Sequence, residues 1–371
     1  VDYFPLTVTQ APAFCNRQSE LKRLNSNIHK SRPTLVVSPR RYGKTSLVMN
    51  GITKAELCYA KFDLLSVTDE EDIKNVLLYG TGKLLVNIEK GGRKALRVAT
   101  ELFAGLNIKL AVDKLGLSIE IGKSGGKPVY EVLGILERIE KISNKYGKKI
   151  ILFFDEFQRV VQVTEDSAMQ SVIRQVAQMS KNLIFIFTGS NRHLLHKLFN
   201  DREQPFYKLC DRITIDRIAA QEYVPYIQHA AQEKWHKNLT IATINRIFDL
   251  TERHPYYLNV LCSRLWDNDF CDIANVDQEW YQYLLEEKSQ VGAELDLLSN
   301  NQRKLLAALA RHNGTKVPRG HEFQMLARMS GASISQAIKT LERRDYIYKD
   351  TTGYYKVLDP LIKAILVNLN F

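Results

Sequence analysis

The chain has 371 residues, 45% of them hydrophobic, and a formal net charge of +11, which suits two or three domains with real cores. No apolar run approaches the ~20 residues of a membrane span, and Val1-Asp2-Tyr3-Phe4 does not open a signal peptide. The cysteines, Cys15, Cys58, Cys210, Cys262 and Cys271, are odd in number and lack C-x-x-C spacing. That pattern argues against zinc and against a disulfide framework, and the expected location is cytoplasmic.

In chain order, Phe14 to Leu21 leads into an amphipathic helix through Leu24 and Ile28. Thr34 to Val37 reads as a buried parallel strand, broken at Ser38-Pro39. Gly43-Lys44-Thr45-Ser46 then opens an apolar helix. Strand, loop, Gly-Lys-Thr and helix make the setting of a phosphate-binding loop. Backbone N–H groups from Arg41 to Thr45 would wrap phosphates at the positive end of the helix. Lys44 would reach the β- and γ-phosphates, and the Thr45 hydroxyl would ligate Mg²⁺. Ser38 stands where the usual pattern carries its first glycine. Taken alone, the stretch also reads as a polar loop capping a helix.

Cys58 to Leu64 reads as a second strand, and Asp69-Glu70-Glu71-Asp72 begins a helix with an acidic first turn. Residues 107–122 alternate apolar and polar positions and predict an inserted hairpin turning near Asp113-Lys114. Helical period returns from Val129 to Lys145. Lys149 to Phe154 is another buried strand, and it ends on Asp155-Glu156. Ligands of open α/β sheets sit off the carboxyl ends of the strands, so Asp155 suits the outer magnesium shell and Glu156 the polarisation of attacking water. The bland alternative is an Asp-Glu pair capping the next helix.

A helix follows over 167–180, and Leu183 to Phe187 is a further apolar strand ending in Thr188-Gly189-Ser190. Ser190 there either senses the γ-phosphate or belongs to an ordinary turn. A fifth strand is expected over 212–215, with Arg212 at its start. Residues 216–290 are helical by period, with Pro255 in a first helical turn. Ser299 caps a new helix, and the remaining pattern is three helices and a hairpin. Ser333 with Gln336 is expected to cap the third helix, whose outward face includes Lys339 and Arg343. This unit is the basic end of the chain: residues 297–371 hold 12 Lys/Arg against 5 Asp/Glu, a net +7.

Several stretches in one order carry a family likeness: Phe14-x-Asn16-Arg17-x-x-Glu20-Leu21, Ser38 to Ser46, Phe154-Asp-Glu-Phe-Gln158, Thr188-Gly-Ser190, His254-Pro-Tyr-Tyr257 and Asp359-Pro360-Leu361. The chain resembles the archaeal-type P-loop ATPases of the STAND branch of AAA+ proteins over nearly its whole length. The resemblance implies an α/β P-loop core over 1–218, a helical lid over 219–295 and a C-terminal winged helix over 296–371. It implies an ATP or ADP site formed by Arg40, Arg41, Tyr42, Gly43, Lys44, Thr45 and Ser46. Asn16, Arg17, Pro255 and Tyr256 would meet the adenine. His254 would face the phosphates, Ser190 would be the first sensor, and Arg212 an arginine finger. Arg253 stands where a glycine commonly precedes His-Pro.

The expected activity is Mg²⁺-dependent ATP hydrolysis driving a molecular switch. One alternative is a nucleic-acid-binding ATPase whose winged helix meets DNA through Lys339, Arg343 and Arg344. Another is a slow or inactive nucleotide-bound scaffold, suggested by Ser38. A protein partner or self-association is also compatible with this reading, and no membrane is involved.

Overall fold

The computed structural model describes residues 2–15, 17–90, 92–102, 108–113, 116–121 and 127–368. The chain divides into two compact units. One comprises residues 17–40 and 44–215, and the other residues 1–16, 41–43 and 216–371.

The first unit begins with α1 (Gln18–His29), β1 (Thr34–Val37), α2 (Lys44–Ala55), β2 (Cys58–Asp63), α3 (Glu70–Glu89) and α4 (Gly92–Leu102). The expected hairpin follows as β3 (Ile108–Asp113) and β4 (Gly116–Ile121), an antiparallel pair. Residues 114 and 115 at its turn lie outside the described residues. Then come α5 (Pro128–Tyr146), β5 (Ile150–Asp155), α6 (Gln158–Val163), α7 (Ala168–Met179), β6 (Leu183–Gly189), α8 (Arg192–Asn200) and β7 (Asp211–Thr214). Five strands form one parallel sheet in the order β2-β5-β6-β1-β7.

Every residue of β1, β5 and β6 is buried. Helices cover both faces of such a sheet, which is why its strands are continuous apolar runs without alternation. Phe154, Phe157, Phe185, Phe187, Phe199 and Phe206 form a connected aromatic group against it. The acidic entry of α3 is as expected, with Asp69 capping the helix by accepting from the Asp72 N–H. Its Gly80 lies flush on β2, where a Cβ would sit 2.6 Å from the Phe62 ring.

The second unit contains α9 (Ala220–Trp235), α10 (Ile241–Thr251), α11 (Pro255–Leu265) and α12 (Ile273–Asp296). It continues through α13 (Asn300–Arg311), α14 (His321–Ala327), α15 (Gly331–Arg343), β8 (Ile347–Lys349), β9 (Tyr355–Val357) and α16 (Pro360–Asn368). Pro255 opens α11, and Ser299 caps α13 through a reciprocal box with Gln302. The cap of α15 differs from expectation. Ser330, not Ser333, accepts from the Ser333 N–H, because the helix starts three residues earlier than the period suggested. Beyond the expected hairpin the chain adds α16, which buries Leu361, Ile362, Ile365 and Leu366.

Lid-type helices and winged helix share one apolar core. Leu258, Leu261, Leu265 and Leu284 belong to the same buried cluster as Leu305, Leu309, Ile334 and Ile365. All three tryptophans of the chain, Trp235, Trp266 and Trp280, lie on the lid side of it. Leu305→Ala should therefore cost about 2–5 kcal/mol and lower the midpoint of the tryptophan-reported denaturant transition, although the substitution is in the winged helix. An unshifted tryptophan midpoint would mean that the two parts unfold separately.

Candidate functional site

The carboxyl edge of the parallel sheet collects the first unit's candidate residues. Strand β6 lies between β1 and β5, and Val37 pairs in register with Gly189. The ends of β1, β6 and β5 thus present Ser38, Thr188 to Ser190, and Asp155-Glu156 along one edge. Asp155 is buried, at 5% exposure, and is fully engaged. Its Oδ2 accepts from Thr45 Oγ1 at 3.0 Å and meets Lys61 Nζ at 3.3 Å. Its Oδ1 accepts from the Thr188 hydroxyl. A carboxylate out of water needs such partners, since an unpaired buried charge is costly.

Lys44 and Thr45 are the first residues of α2. The buried Lys44 donates to the carbonyls of Ser38 at 3.3 Å and Pro39 at 3.1 Å. Ser38 is buried, and its hydroxyl donates to the Pro39 carbonyl at 3.0 Å. The left-handed backbone of this loop falls at Arg41 (φ 63°) and Gly43 (φ 86°), not at Ser38. That is why a serine fits where a glycine is usual. Ser46 is buried in α2, and Arg40 is exposed.

Glu156 follows the strand with φ 56°, a left-handed conformation that costs a non-glycine residue of order 1–2 kcal/mol. Its Oε2 accepts from Ser190 Oγ at 2.7 Å, from the Ser190 N–H at 3.3 Å and from Gln158 Nε2. The sequence reading placed Ser190 near this edge but missed Gln158, Thr188 and Lys61 as partners. Gln158 and Thr188 stand within the stretches that carry the family likeness but with no role assigned, and Lys61 is a polar position between buried Ala60 and Phe62 in β2.

Arg212 is not brought to this group. It is the second residue of β7 and pairs with Leu35, three positions before Ser38, so it sits inside the sheet and not at its carboxyl edge. Its Nε is buried without a hydrogen-bond partner, and burial lowers the guanidinium from its ordinary range. The neighbouring Asp211 pairs instead with Arg23 at 2.6 Å and Asn27 at 2.7 Å. Asn16 lies outside the described residues. Arg17 precedes α1 with φ 62°, is buried, and meets Glu20 at 3.4 Å.

The second unit gathers the remaining candidates. Arg41, Tyr42 and Gly43 group with it. The Tyr42 ring meets His254 edge-on at 4.6 Å, and the Arg41 guanidinium lies over the Tyr256 ring at 4.3 Å. Arg217, which no motif singled out, holds this cluster together. It donates to Tyr42 Oη at 3.4 Å, to the Leu358 carbonyl at 3.0 Å, and to the Glu252 carboxylate. Glu252 also takes Lys363 from α16. Burial would raise Glu252, yet Arg217 and Lys363 pull it below the usual carboxylate range.

His254 stands at the N-cap position of α11 without a side-chain cap bond, at 4% exposure, and its Nδ1 has no hydrogen-bond partner. Burial, with the charges of Arg217 and Arg41 added, pushes the imidazole down to about 3. Because this folded value is below the unfolded one, the unfolded chain binds the proton first. Stability from His254 is intact above pH ~6.5 and is lost as pH falls towards 3. At about 1.4 kcal/mol per pH unit, roughly 2 kcal/mol should go between pH 6.5 and 5. Denaturant titrations of wild type and His254→Gln at both pH values test this, the variant showing the shallower loss.

Comparison with known proteins accords with this geometry. Residues 14–261 match a family model described as an ATPase domain predominantly from Archaea, and residues 292–368 match a probable winged helix domain. Among solved structures, a Walker-type ATPase of Pyrococcus abyssi is similar at a TM-score of 0.71 and 18% identity, covering 98% of this chain and 99% of that one. The ORC2 protein of Aeropyrum pernix, in ADPNP and ADP complexes, gives 0.58 at 11% identity over 98% and 96%. The ORC1 protein of Aeropyrum pernix in complex with DNA gives 0.52 at 10% identity over 98% and 95%. A search of curated protein sequences found no match. Among the described residues, no helix is long and apolar enough to cross a membrane. The parallel sheet, the Gly-Lys-Thr loop beside Asp155 and the matched span together identify the chain as a member of the archaeal-type P-loop ATPase family, carrying a C-terminal winged helix.

Proposed function

We propose that this protein binds ATP on the Ser38–Ser46 loop and hydrolyses it with Mg²⁺ as a nucleotide-dependent switch. The observation that carries the reading is the 3.0 Å hydrogen bond from Thr45 to Asp155, which joins two separately encoded motifs at one point. A hydroxyl and a carboxylate are hard oxygen donors, the kind a small divalent cation takes alongside phosphate oxygens. Thr45 and Asp155 would hold Mg²⁺, which when bound neutralises charge building on the phosphates.

The chain's own groups divide the remaining work. Lys44 exchanges the Ser38 and Pro39 carbonyls for phosphate oxygens, and N–H groups at the start of α2 orient the same anion. Glu156 accepts hydrogen bonds from one side through Ser190 and keeps its other oxygen to align and polarise water. The lid and winged helix, built on one core, would respond together. Tyr42, two residues before Lys44, is in contact with His254 and Arg217 of that core unit.

Lys44→Ala should abolish binding of a fluorescent ATP analogue. Glu156→Gln should bind the analogue normally while phosphate release slows by about 10²-fold or more. Phosphate release from Glu156→Gln at the wild-type rate would remove Glu156 from catalysis.

A second reading, DNA binding by the winged helix, has a specific support. Lys339 and Arg343 are exposed on α15, and Arg344 follows at its end. In DNA-binding winged helices this helix enters the major groove, and the ORC1 neighbour was solved with DNA. Contacts of this kind are phosphate-driven and carry little base preference. With about four phosphates neutralised, log K should fall against log salt with a slope near −3.6, from ~0.9 per phosphate. Lys339→Ala/Arg343→Ala should weaken duplex binding in an anisotropy titration and flatten the slope. No binding at low salt, with ADP or with an ATP analogue, argues for a purely internal winged helix.

A further inference from the structure

Gln158 opens α6 two residues after Glu156, is 4% exposed, and makes two polar approaches. Its Nε2 donates to Glu156 Oε2 and lies 3.4 Å from Ser190 Oγ. Its Oε1 is buried without a hydrogen-bond partner, so the amide is held by its NH₂ end alone. The backbone of β6 is shaped around it. A Cβ on Gly189 would fall 2.1 Å from Gln158 Oε1 and 2.7 Å from Leu195 Cδ1. A side chain at 189 would thus expel the amide, and glycine there is a requirement of this contact.

From this geometry we propose that Gln158 is a positioning residue for Glu156. Together with Ser190 it loads one carboxylate oxygen with three donors, which locks the rotation of the carboxylate and leaves the other oxygen to face the attacking water. The argument rests on the catalytic reading of Glu156 given above. Its physical basis is that misplacing a reacting group by about 1 Å can cost on the order of 10²-fold in rate. A glutamine reaches the carboxylate from α6, whereas asparagine is one methylene too short. Methionine fills a similar volume but cannot donate.

The test measures steady-state ATP hydrolysis and, separately, binding of a fluorescent ATP analogue. The proteins are wild type, Gln158→Met, Gln158→Asn, Glu156→Gln and the Glu156→Gln/Gln158→Met double variant. Gln158→Met should lower kcat by about 10- to 100-fold while KM and analogue binding stay within twofold. Gln158→Asn should not rescue. In the Glu156→Gln background, Gln158→Met should cost almost nothing further, because the group it positions is gone. A merely structural role would give additive losses in the double variant, and that outcome overturns the proposal. So does a Gln158→Met enzyme with wild-type or raised kcat, given that Glu156→Gln is slow. Should wild type itself hydrolyse no ATP, or Glu156→Gln match it, the catalytic reading of Glu156 fails first, and this inference falls with it for a distinguishable reason.

Discussion

The hydrogen bond between Thr45 and Asp155 is the constraint on which the nucleotide unit depends. It ties the first turn of α2 to the end of β5, although β6 lies between β5 and the strand that leads into α2. Such a bond forms only if three parallel strands end at the same height, and the register of β1 with β6 and of β5 with β6 ensures that. Thr45, Thr188 and Lys61 all converge on the buried Asp155. A buried carboxylate is tolerated only with such partners, and the loss of any one leaves a charge poorly compensated.

Beside it, the Glu156 group shows how a sheet edge positions a flexible side chain. A left-handed backbone at Glu156 turns the chain from β5 into α6, bringing Gln158 back over Gly189. Polar atoms of three residues then share one small buried space. Rotating one member would leave another without its partner, and Gln158 Oε1 is itself buried unpaired. On the catalytic reading proposed for Glu156, such positioning would matter, because misplacing a reacting group costs rate.

The other unit is organised by a different balance, that of partly buried cations against one acid. Arg217 and Lys363 both address Glu252, and burial is offset only because each charge has an opposite neighbour. Tyr257 adds a second tie by donating to Asp359 at 2.6 Å, and Asp359 in turn accepts from the first N–H groups of α16. These polar contacts and the continuous core make the lid helices and the winged helix one folded body. The helices from α9 to α12 and the winged helix, expected from the sequence as separate domains, thus share one buried core.

Local chemistry made much of this legible in the sequence. Gly43-Lys44-Thr45 after a β-branched run and Asp155-Glu156 after an apolar one each encode strand, turn and site within a few residues. The Ser299 cap, the acidic entry of α3 and Pro255 in the first turn of α11 depend only on neighbours along the chain, so the sequence shows them. What required the tertiary structure was everything set by register and by distant partners. Arg212 looks like a site residue when it precedes a strand, but pairing with Leu35 places it within the sheet. Ser330 caps α15 in place of the expected Ser333, because the helix begins three residues before its apolar period does. Gln158 and Arg217 carried no periodic signal at all. Their roles arise because Ser190 lies 32 residues from Gln158 and Leu358 lies 141 residues from Arg217. Sequence determines which groups can cap, cradle or ionise, since those properties are local. Only the folded chain decides which of them meet, because strand order and register bring distant residues to one edge.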